Sequence, residues 1–376
     1  MAERPAVLLL IPHLSGGGAE QVTALLAVGL SHKKYRLHLG LITQSVLGIQ
    51  TFPAHVEVHM LGARRVRSSA LRLLRLVRRL KPDLILTNMA HLNFLVLLLR
   101  PFFPPSTRVL VRQNGTVSAN LASRNLPGYT RLLYHLLYPR ADRVICQTHA
   151  MARDLSTELS MRQERLAVLP NPVNVEAIRA SERNPPNPWS EFGLSPAGPH
   201  LLAVGRLAHE KGFDLLLRAL VIVRRRFPHT NLIIAGTGPE EAALKVLCSE
   251  LGLEGAVHYA GYVDHPCSYF PGASVFVLPS RHEGLPNALL EAAAGGLPLV
   301  ALPASQGVVD LLSGQFGVWL AAEATAEALT TALLAAIGTL NPGQRFPHPF
   351  IQQFSVERAI RAYEDLIDSS LRDHPR

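Results

Sequence analysis

Short apolar runs alternate with longer amphipathic stretches along the first part of the chain. Such runs are typical of strands buried on both faces of a parallel sheet, whereas an apolar period of 3.6 residues is typical of helices. Strands are predicted at residues 7–11, 37–42, 56–60, 84–87, 109–112 and 144–147, and helices at residues 20–30 and 70–80. This alternation predicts a parallel sheet with helices on both faces.

A second series of the same kind follows a proline-rich interruption at residues 184–199. Prolines and glycines without periodicity are typical of a linker or a domain crossing. Beyond it, strands are predicted at residues 201–204, 231–235, 257–259, 275–278 and 299–301, and helices at residues 214–227, 240–251 and 287–294. The pattern therefore predicts an α/β fold of two doubly wound domains. Because such sheets bind ligands at the carboxyl ends of their strands, two of them facing each other would form one interdomain cleft.

Length and composition exclude several other classes of protein. A chain of 376 residues with 48% apolar and 17% charged residues is globular rather than disordered. The longest candidate for a membrane-spanning helix, residues 92–99, is cut short by Arg100. We expect no signal peptide, since residues 7–11 fit a buried strand directly after Glu3 and Arg4. Three cysteines without metal-site spacing indicate a reducing compartment, so a cytoplasmic location is expected.

The charge of the chain is distributed unevenly. Residues 1–180 carry 23 Lys and Arg against 9 Asp and Glu, whereas residues 181–376 carry 14 against 19. The basic first half predicts contact with an anionic surface or substrate, and an uneven but solvated surface is the alternative. A nucleic-acid-binding module would also be basic. The basic residues 64–81 contain no aromatic side chain for base stacking, so nucleic acid is not a predicted partner.

A glycine-rich loop, Ser15-Gly16-Gly17-Gly18, joins the first strand to the first helix. Consecutive glycines let backbone N–H groups approach a ligand, and a helix N-terminus favours an anion, so a phosphate site is predicted. A flexible turn is the alternative. The loop does not match a Rossmann fingerprint, because the third glycine would fall at Gln21, and no lysine follows as in a Walker loop.

Two cations follow the first strand of the second domain, in the segment Gly205-Arg206-Leu207-Ala208-His209-Glu210-Lys211-Gly212. The guanidinium of Arg206 offers a fork of donors and the ammonium of Lys211 offers a point charge. At the carboxyl end of a strand, the two would hold a diphosphate. Solvated surface cations are the alternative.

Two carboxylates flank the start of a later helix, in Glu283-Gly284-Leu285-Pro286-Asn287-Ala288-Leu289-Leu290-Glu291. Pro286 suits the first turn of a helix, which places Glu283 in the preceding loop and Glu291 within the helix. Carboxylates can each accept a pair of hydroxyl protons, which is how sugars are held. Glu291 could instead be a surface residue, but residues 292–296 are all small, and a Glu among apolar neighbours needs a reason.

Taken together, these motifs resemble the retaining glycosyltransferases of family 4, the glycosyl transferases group 1, across nearly the whole chain. The resemblance rests on Gly17-Gly18-Ala19-Glu20, Gly205-Arg206-Leu207 with Glu210-Lys211-Gly212, Gly236-Thr237-Gly238-Pro239, Tyr259-Ala260-Gly261, Glu283 with Glu291, and Phe354-Ser355 with Tyr363. It implies the GT-B fold. Residues 1–180 would form an acceptor-side domain on which the terminal helix, residues 355–376, packs back. Residues 181–354 would bind the nucleotide sugar.

The resemblance also implies roles for individual residues. Arg206 and Lys211 would bind the donor diphosphate and stabilise the leaving nucleotide. Glu291 would hold the ribose hydroxyls, and Glu283 would contact the donor sugar, either as a nucleophile or only as a contact. Further donor contacts are implied for Gly17, Gly18, Gly236, Gly238, Gly261, Tyr262, Gly284, Leu285 and Asn287.

Three positions match the family pattern less well. His91 falls where such enzymes often place a polar residue near the transferred sugar. A histidine that takes no part in the site is the alternative at this position. Asn171 lies in Pro170-Asn171-Pro172, where the family usually has Pro-Asn-Gly, at the domain junction. Asp310 stands where the family more often has Glu, and its shorter side chain would change the reach to the donor sugar.

The chemistry of the sugar–diphosphate bond suggests how these groups would act. Cleavage leaves negative charge on the phosphate oxygens, and fixed cations would stabilise that charge as it grows. Because the chain contains no Asp-x-Asp triplet, no metal ion and no other cofactor is expected. Similar enzymes retain the anomeric configuration, which implies attack on the same face with the leaving phosphate as the base. A UDP-sugar is the expected donor, and GDP stays open.

A basic helix predicts a membrane surface as a further partner. Residues 64–81 contain eight basic and no acidic residues, with Arg72, Arg75 and Arg79 on one side and an apolar stripe on another. Such a helix can lie on an anionic leaflet and hold the phosphates of a lipid-linked acceptor. We therefore predict peripheral association with the inner face of the membrane. An ordinary helix that covers a sheet with a solvated basic face is the alternative.

Two further functions remain open on the sequence. A nucleotide-sugar epimerase can share this two-domain fold. A catalytically silent subunit of a membrane glycan-assembly complex is also conceivable, but such a copy would be free to lose Arg206, Lys211, Glu283 and Glu291, which are all present.

Overall fold

The computed structural model describes residues 4–14, 17–43, 52–122, 128–181, 188–194 and 198–372. The strands are β1 (Ala6–Ile11), β2 (Arg36–Leu41), β3 (Val56–Met60), β4 (Leu84–Asn88), β5 (Arg108–Arg112), β6 (Arg143–Cys146), β7 (Leu166–Val168), β8 (His200–Val204), β9 (Asn231–Ala235), β10 (Val257–Gly261), β11 (Val275–Leu278), β12 (Leu299–Ala301) and β13 (Val318–Leu320). The α-helices are α1 (Gly18–Gly29), α2 (Ala70–Leu80), α3 (Ala90–Leu99), α4 (Val117–Ala122), α5 (Thr130–Leu137), α6 (His149–Leu159), α7 (Val175–Ser181), α8 (Phe213–Arg226), α9 (Glu241–Glu250), α10 (Asn287–Ala294), α11 (Gln306–Leu312), α12 (Ala326–Thr339) and α13 (Val356–Arg372).

The chain forms two compact α/β units. Unit 1 consists of Met1–Pro172 and Val356–Arg376, and unit 2 of Val173–Ser355. Unit 1 holds a sheet in the order β3-β2-β1-β4-β5-β6-β7, and unit 2 a sheet in the order β10-β9-β8-β11-β12-β13. All pairings are parallel. The predicted fold class of two doubly wound sheets is confirmed.

The strand order fixes where a ligand site belongs in each unit. Chain direction across the sheet reverses at β1 and β4 in unit 1, and at β8 and β11 in unit 2. Loops that leave the carboxyl ends of two such strands diverge to opposite faces of the sheet. Ligands bind in the crevice between these loops, which is called the topological switch point. The glycine loop follows β1, His91 follows β4, the Arg206 segment follows β8 and Glu283 follows β11. The singled-out residues therefore occupy the switch points of their own units.

Each sheet is covered on both faces by helices. In unit 1, α2, α3, α5 and α6 pack on one face, and α1 and α13 pack on the other, where Tyr363 and Ile367 of α13 are fully buried. In unit 2, α8, α9 and α12 cover one face, and α7, α10 and α11 cover the other. Burial on both faces explains why the strands read as continuous apolar runs rather than as alternating patterns.

The terminal helix α13 is tied into unit 1 by polar contacts as well as by packing. The Nζ atom of Lys34 lies 2.6 Å from Oε2 of Glu364, and the backbone N–H of Ser31 donates to Oε1 of the same side chain at 2.9 Å. Gly29 has Ile360 directly beside it, where a methyl group would be 2.6 Å from the Cδ1 atom of Ile360. These contacts place residues 356–372 on the unit that contains the N-terminus.

The division between the units falls after Pro172 rather than after residue 180, where the sequence placed it. Helix α7 belongs to unit 2. Ile178 of this helix is buried in the core of unit 2, and the Nε atom of Arg179 donates to the carbonyl of Ala294. Part of the predicted linker is also packed in unit 2. The indole of Trp189 is buried, stacks on His200, and donates to the carbonyl of Tyr269 at 2.8 Å.

Elements predicted from the sequence agree with the structure to within two residues at each end. The short edge strands β7 and β13 were not predicted, since three residues give no periodic pattern. Among the described residues, no helix combines the length and apolar character needed to cross a membrane.

Candidate functional site

The segment that follows β8 is held in place by the loop that follows β9. The N–H of Gly205 donates to the carbonyl of Ala235 at 3.0 Å, and the N–H of Leu207 donates to that of Thr237 at 2.9 Å. Leu207 is fully buried, so it anchors the segment in the core while Arg206 points outward with 66% of its side chain exposed. An exposed guanidinium on an anchored loop is suited to meet an anion.

Glycines 236 and 238 are required by this packing. Gly236 has φ of 145°, and a Cβ atom there would lie 2.0 Å from the carbonyl oxygen of Gly205. A Cβ atom on Gly238 would lie 2.3 Å from the carbonyl oxygen of Leu207. Close backbone approach is a sufficient reason for glycine at both positions. Their donor contacts remain a prediction.

Lys211 and Glu283 form the central ion pair of unit 2. Their Nζ and Oε1 atoms are 2.6 Å apart, with 25% of the lysine side chain and 9% of the glutamate side chain exposed. The hydroxyl of Ser280 donates to the same carboxylate oxygen at 2.7 Å. The structure thus joins a residue of the β8 loop to one of the β11 loop, 72 positions apart. This contact holds a cation and a carboxylate at the switch point.

A second ion pair lies within the β8 loop. The guanidinium of Arg206 donates to the carboxylate of Glu210. Burial opposes ionisation of Glu210, but hydrogen bonds from its own backbone N–H and from Arg206 hold the pKa of this carboxyl below its usual value. The N–H of Arg281 donates to the carbonyl of Glu210 at 2.8 Å, which fixes the two loops to each other.

An ion pair between Arg281 and Asp214 further fixes the same two loops to each other. The guanidinium donates to both carboxylate oxygens of Asp214, at 2.7 and 2.6 Å, and to the carbonyl of His209 at 2.9 Å. A bidentate pair of this kind is geometrically specific. Sequence patterns gave no role to Asp214, Ser280 or Arg281. For Ser280 and Arg281 the only signal was a polar run directly after β11, whereas Asp214 lies in the first turn of α8.

Glu291 lies on α10 among buried apolar neighbours, including Leu290 and Ala292. Burial raises the pKa of its carboxyl to about 7. The group therefore changes charge near neutral pH, where a carboxylate in water would be fully ionised. A carboxyl held in this state can donate or accept toward a hydroxyl group.

The other predicted donor contacts of unit 2 are placed as follows. Leu285 is buried in the core, so only its backbone is open to a ligand. Asn287 is the first residue of α10 and is half-buried. Gly284, three residues before Asn287, is buried, Gly261 has φ of 68°, and Tyr262 is 40% exposed. Asp310 lies on α11, where it accepts a hydrogen bond from Gln306 at 2.7 Å.

In unit 1, the carboxylate of Glu20 accepts a hydrogen bond from the glycine loop. Gly17 is the N-cap of α1 and Gly18 its first residue, whereas Gly16 lies outside the described residues. The N–H of Gly17 donates to Oε2 of Glu20 at 3.0 Å. The Oε1 atom of Glu20 lies 3.1 Å from Nδ1 of His13, and this hydrogen bond raises the pKa of the histidine. His13 was not predicted as a site residue, and the structure adds it here.

His91 stands beside this loop at the start of α3. Partial burial and the charge of His13 lower its pKa. The preceding turn is strained, since Met89 has φ of 75°, a conformation that residues other than glycine rarely adopt. The N–H of Met89 donates to Oδ1 of Asn88 at 2.9 Å. The turn therefore sets the position of His91 at the carboxyl end of β4.

A buried polar network continues from this turn. The amide of Asn114 donates to Oδ1 of Asn88 at 2.7 Å, and Arg112 donates to Oδ1 of Asn114 at 2.6 Å. Arg112 is 1% exposed and also donates to Asn171 and, at 3.1 Å, to the hydroxyl of Tyr363. Asn171 is thereby held within unit 1, one residue before the division between the units.

The basic helix α2 differs in one respect from its sequence interpretation. Three residues of the apolar stripe, Leu73, Leu76 and Val77, are buried against the sheet and are not open to a membrane. Arg75 and Arg79 are exposed, and Arg72 donates to the carbonyls of Leu61 and Gly62. These arginines lie on α2, whereas the glycine loop and His91 follow β1 and β4.

Two family models match the chain in succession. Residues 16–177 match the model of Glycosyltransferase Family 4, and residues 198–338 match that of Glycosyl transferases group 1. The two matches cover most of both units.

Several curated relatives are named as glycosyltransferases. An uncharacterized glycosyltransferase of Haemophilus influenzae is 40% identical over 112 residues, which is 30% of this chain and only 32% of that relative. The lipopolysaccharide core biosynthesis glycosyltransferase LpsE of Rhizobium meliloti is 27% identical over 82% of this chain and 86% of its own. A Campylobacter jejuni enzyme named N-acetylgalactosamine-N,N'-diacetylbacillosaminyl-diphospho-undecaprenol 4-alpha-N-acetylgalactosaminyltransferase is 26% identical over 82% of this chain and 84% of its own.

Solved structures share the fold over their full length. Sucrose-phosphate synthase of Thermosynechococcus elongatus has a TM-score of 0.83 at 18% identity and covers 99% of this chain and 100% of its own. Anabaena HepE in complex with UDP-glucose has a TM-score of 0.75 at 17% identity, covering 97% and 99%. At such identity the likeness establishes the fold alone. The chain belongs to glycosyltransferase family 4 and has the GT-B fold, with two Rossmann-like parallel-sheet domains.

Proposed function

We propose that this protein transfers a sugar from a nucleotide diphosphate sugar to a glycan or lipid-linked acceptor, with retention of anomeric configuration. The observation that carries the proposal is the gathering of Arg206, Lys211 and Glu283 at the switch point of unit 2, on loops fixed to one another. Arg206 is exposed there and Lys211 is 25% exposed, so both could reach a diphosphate, and the carboxylate of Glu283 beside them suits a sugar hydroxyl.

A UDP-sugar is the donor we favour, and polysaccharide or glycoconjugate assembly the pathway class. HepE is described in complex with UDP-glucose, and LpsE is named for lipopolysaccharide core biosynthesis. The Campylobacter relative is named for a diphospho-undecaprenol acceptor, which supports a lipid-linked acceptor for this chain.

In this mechanism, the cations act on charge that develops as the sugar–phosphate bond breaks. Arg206 and Lys211 would leave Glu210 and Glu283 and turn to the phosphate oxygens, which are fully charged only once the bond has broken. Glu291 would accept the ribose hydroxyls. From unit 1, His91 would act near the transferred sugar, and the N–H groups of Gly17 and Gly18 would contact the donor.

The direct test is a panel of nucleotide sugars, screened first for binding by thermal shift and then for transfer to a lipid-linked acceptor. We expect stabilisation by UDP and one UDP-sugar, with UDP released only when an acceptor is added. Interconversion of the donor sugar without acceptor would identify an epimerase instead. Binding without turnover under any acceptor would identify a silent subunit.

Transfer should survive strong chelation, because side chains and backbone amides supply the positive charge that a metal ion supplies in other transferases. We expect the turnover rate in excess EDTA to stay within about twofold of the untreated rate, measured well below the unfolding temperature. Complete loss in EDTA, restored by Mg²⁺ or Mn²⁺, would refute a metal-independent mechanism.

We further propose that unit 1 attaches the protein to the cytoplasmic face of an anionic membrane. Arg75 and Arg79 of α2 are exposed. Helix α3 packs against both α2 and α5, and each of these three helices exposes large apolar side chains. These are Leu71 at 68%, Leu98 at 55%, Leu132 at 57% and Leu136 at 56%. Exposed leucines beside arginines replace the buried stripe of α2 as the membrane contact.

Liposome flotation tests this attachment. The protein should float with anionic vesicles at low salt and be released at high salt, since each arginine near such a surface contributes about 1 kcal/mol. Reversal of Arg72, Arg75 and Arg79 to Glu should abolish flotation. The double variant Arg75→Glu/Arg79→Glu leaves the Arg72 contacts intact and should weaken flotation strongly.

The matched control is Arg225→Glu/Arg226→Glu, which makes the same change in net charge at exposed positions of α8 in unit 2. It should float like the parent. If both double variants behave alike, flotation reflects net charge only, and α2 is merely a cover of the sheet.

A further inference from the structure

Two histidines and a glutamate meet at the edge of the unit 1 sheet. The register of β2 with β3 places His38 opposite Glu57 and Gly40 opposite His59. Residues two apart on a strand share a face, so all three side chains lie on the face that α2 covers. The sequence offered no signal for this group, since strand pairing alone brings residues 38 and 57 together.

Two ring nitrogens and the two oxygens of one carboxylate lie close together. Nδ1 of His38 lies 3.1 Å from Nε2 of His59 and 3.3 Å from Oε2 of Glu57, and Nε2 of His59 lies 3.6 Å from Oε1 of Glu57. In a tetrahedral site with bonds of about 2.0–2.1 Å, ligand atoms are separated by about 3.3–3.4 Å. The observed separations bracket that value.

The surroundings of the two imidazoles also suit a metal ligand. Both histidines are 9% exposed, and a hydrogen bond joins Nδ1 of His38 to Nε2 of His59. A metal ion would replace the shared proton, since an imidazole must present a lone pair to bind one. The Glu57 side chain is 64% exposed, which leaves a path for an ion and room for a water ligand. The positive charge of Arg36 acts on His38 and that of Arg79 on α2 acts on His59, so these two cations would weaken the binding of a metal ion without closing the site.

We propose that His38, Glu57 and His59 form a binding site for a divalent transition metal of the zinc type. Two imidazoles and one carboxylate with an open fourth position are a ligand set that zinc accepts, whereas Mg²⁺ and Ca²⁺ require oxygen ligands. The ion would clip the edge strand β3 to β2, closing the chain between residues 38 and 57. A clip of this kind stabilises a strand that has a neighbour on one side only.

This site is distinct from sugar transfer. β3 is the edge strand, separated by β2 from β1, which carries the glycine loop. Loss of the ion should therefore lower the unfolding temperature of the protein and leave the turnover rate of the donor site unchanged.

Zn²⁺ titration of the metal-stripped full-length chain tests the proposal by calorimetry. The parent should bind one Zn²⁺ per chain with a rise in unfolding temperature. The variant His59→Gln should bind at least about 100-fold more weakly, since replacing even an outer-shell partner of a zinc ligand costs 10- to 100-fold. Co²⁺ in place of Zn²⁺ should give the intense visible absorption of a tetrahedral site in the parent only.

The chain supplies a matched control. His55 lies beside His32 on the surface, with ring centroids 4.6 Å apart, and a His55→Gln variant removes a neighbouring histidine outside the site. It should bind Zn²⁺ like the parent. Because Glu57 is exposed, Glu57→Gln should fold normally and still bind Zn²⁺ about tenfold or more weakly. Parent-like binding by His59→Gln or Glu57→Gln, loss of binding in His55→Gln, or no stoichiometric binding by the parent would each overturn the proposal.

Discussion

Replacement of either donor-site cation, Arg206→Ala or Lys211→Ala, should reduce the turnover number by about 100- to 1,000-fold, the loss typical of one preorganised donor to a developing anion. Each cation lies on the β8 loop and is held by a carboxylate of unit 2. The negative charge on the leaving phosphate is greatest after the bond has broken. The loss should therefore appear mainly in kcat, with a smaller change in KM for the donor.

The two cations can be distinguished from a general effect of charge. Arg225→Ala removes an exposed arginine of α8 in the same unit and should leave kcat unchanged. Lys211→Ala also leaves Glu283 with only the Ser280 hydroxyl among the partners described above, so its effect should exceed that of Lys211→Arg. Turnover near the parental value in both alanine variants would remove these residues from the mechanism.

Substitution of Glu291 by Gln should remove a dependence of stability on pH that amounts to about 3 kcal/mol in unit 2. Burial raises the pKa of Glu291 from 4.5 to about 7 in the folded chain. Below pH 4.5 the carboxyl is protonated in both folded and unfolded chains. Between pH 4.5 and 7 only the folded chain keeps the proton, so the stability that it provides is lost as the pH rises. Above pH 7 the loss is complete, at 1.36 kcal/mol per pKa unit.

Tryptophan fluorescence measures this effect in the relevant unit, because both tryptophans of the chain, Trp189 and Trp319, lie in unit 2. Urea unfolding at pH 5 and pH 8 should show that the parent loses more stability than Glu291→Gln does. Glu250→Gln, at an exposed position of α9, makes the same charge change and should keep the pH dependence of the parent. Equal pH dependence in all three proteins would show that Glu291 has an ordinary pKa.

Ionisation of Glu291 should also change the affinity for the nucleotide part of the donor. If an ionised Glu291 accepts the ribose hydroxyls, UDP should bind more tightly at pH 8 than at pH 6. Binding to Glu291→Gln should be weaker and should lose the part of this pH dependence that exceeds the titration of UDP itself.

The apolar pattern was sufficient to predict the central strands of both sheets, because these strands are buried on two faces. Runs such as Ala6–Ile11 and Val275–Leu278 contain no polar residue, so their pattern differs from the periodic pattern of an amphipathic helix. The pattern failed at the junction. Trp189 packs in unit 2 although its neighbours have the composition of a linker, and Ile178 packs there although the boundary was predicted after residue 180. Composition measures the average polarity of a segment, and a single large anchoring side chain decides where it packs.

Local motifs likewise predicted residues whose neighbours in sequence share their task. Arg206 and Lys211 follow one strand, and Glu283 and Glu291 bracket the start of one helix, so spacing alone drew attention to them. Partners that come from distant parts of the chain gave no such signal. Asp214 and Arg281 are 67 residues apart, and Arg112 and Tyr363 are 251 apart. His13 escaped notice because its partner Glu20 lies across the glycine loop.

The sequence by itself therefore determined the fold class, every strand except β7 and β13, and the residues at the carboxyl ends of β1, β4, β8 and β11, since these follow from local burial and local spacing. Only the tertiary structure decided which charges pair, as for Lys211 with Glu283, and which leucines of α2 remain exposed. It also decided that Glu291 titrates near pH 7 and that His38, Glu57 and His59 lie close together. The physical reason is that burial, pairing and convergence depend on distances in space, which strand order sets and chain position does not.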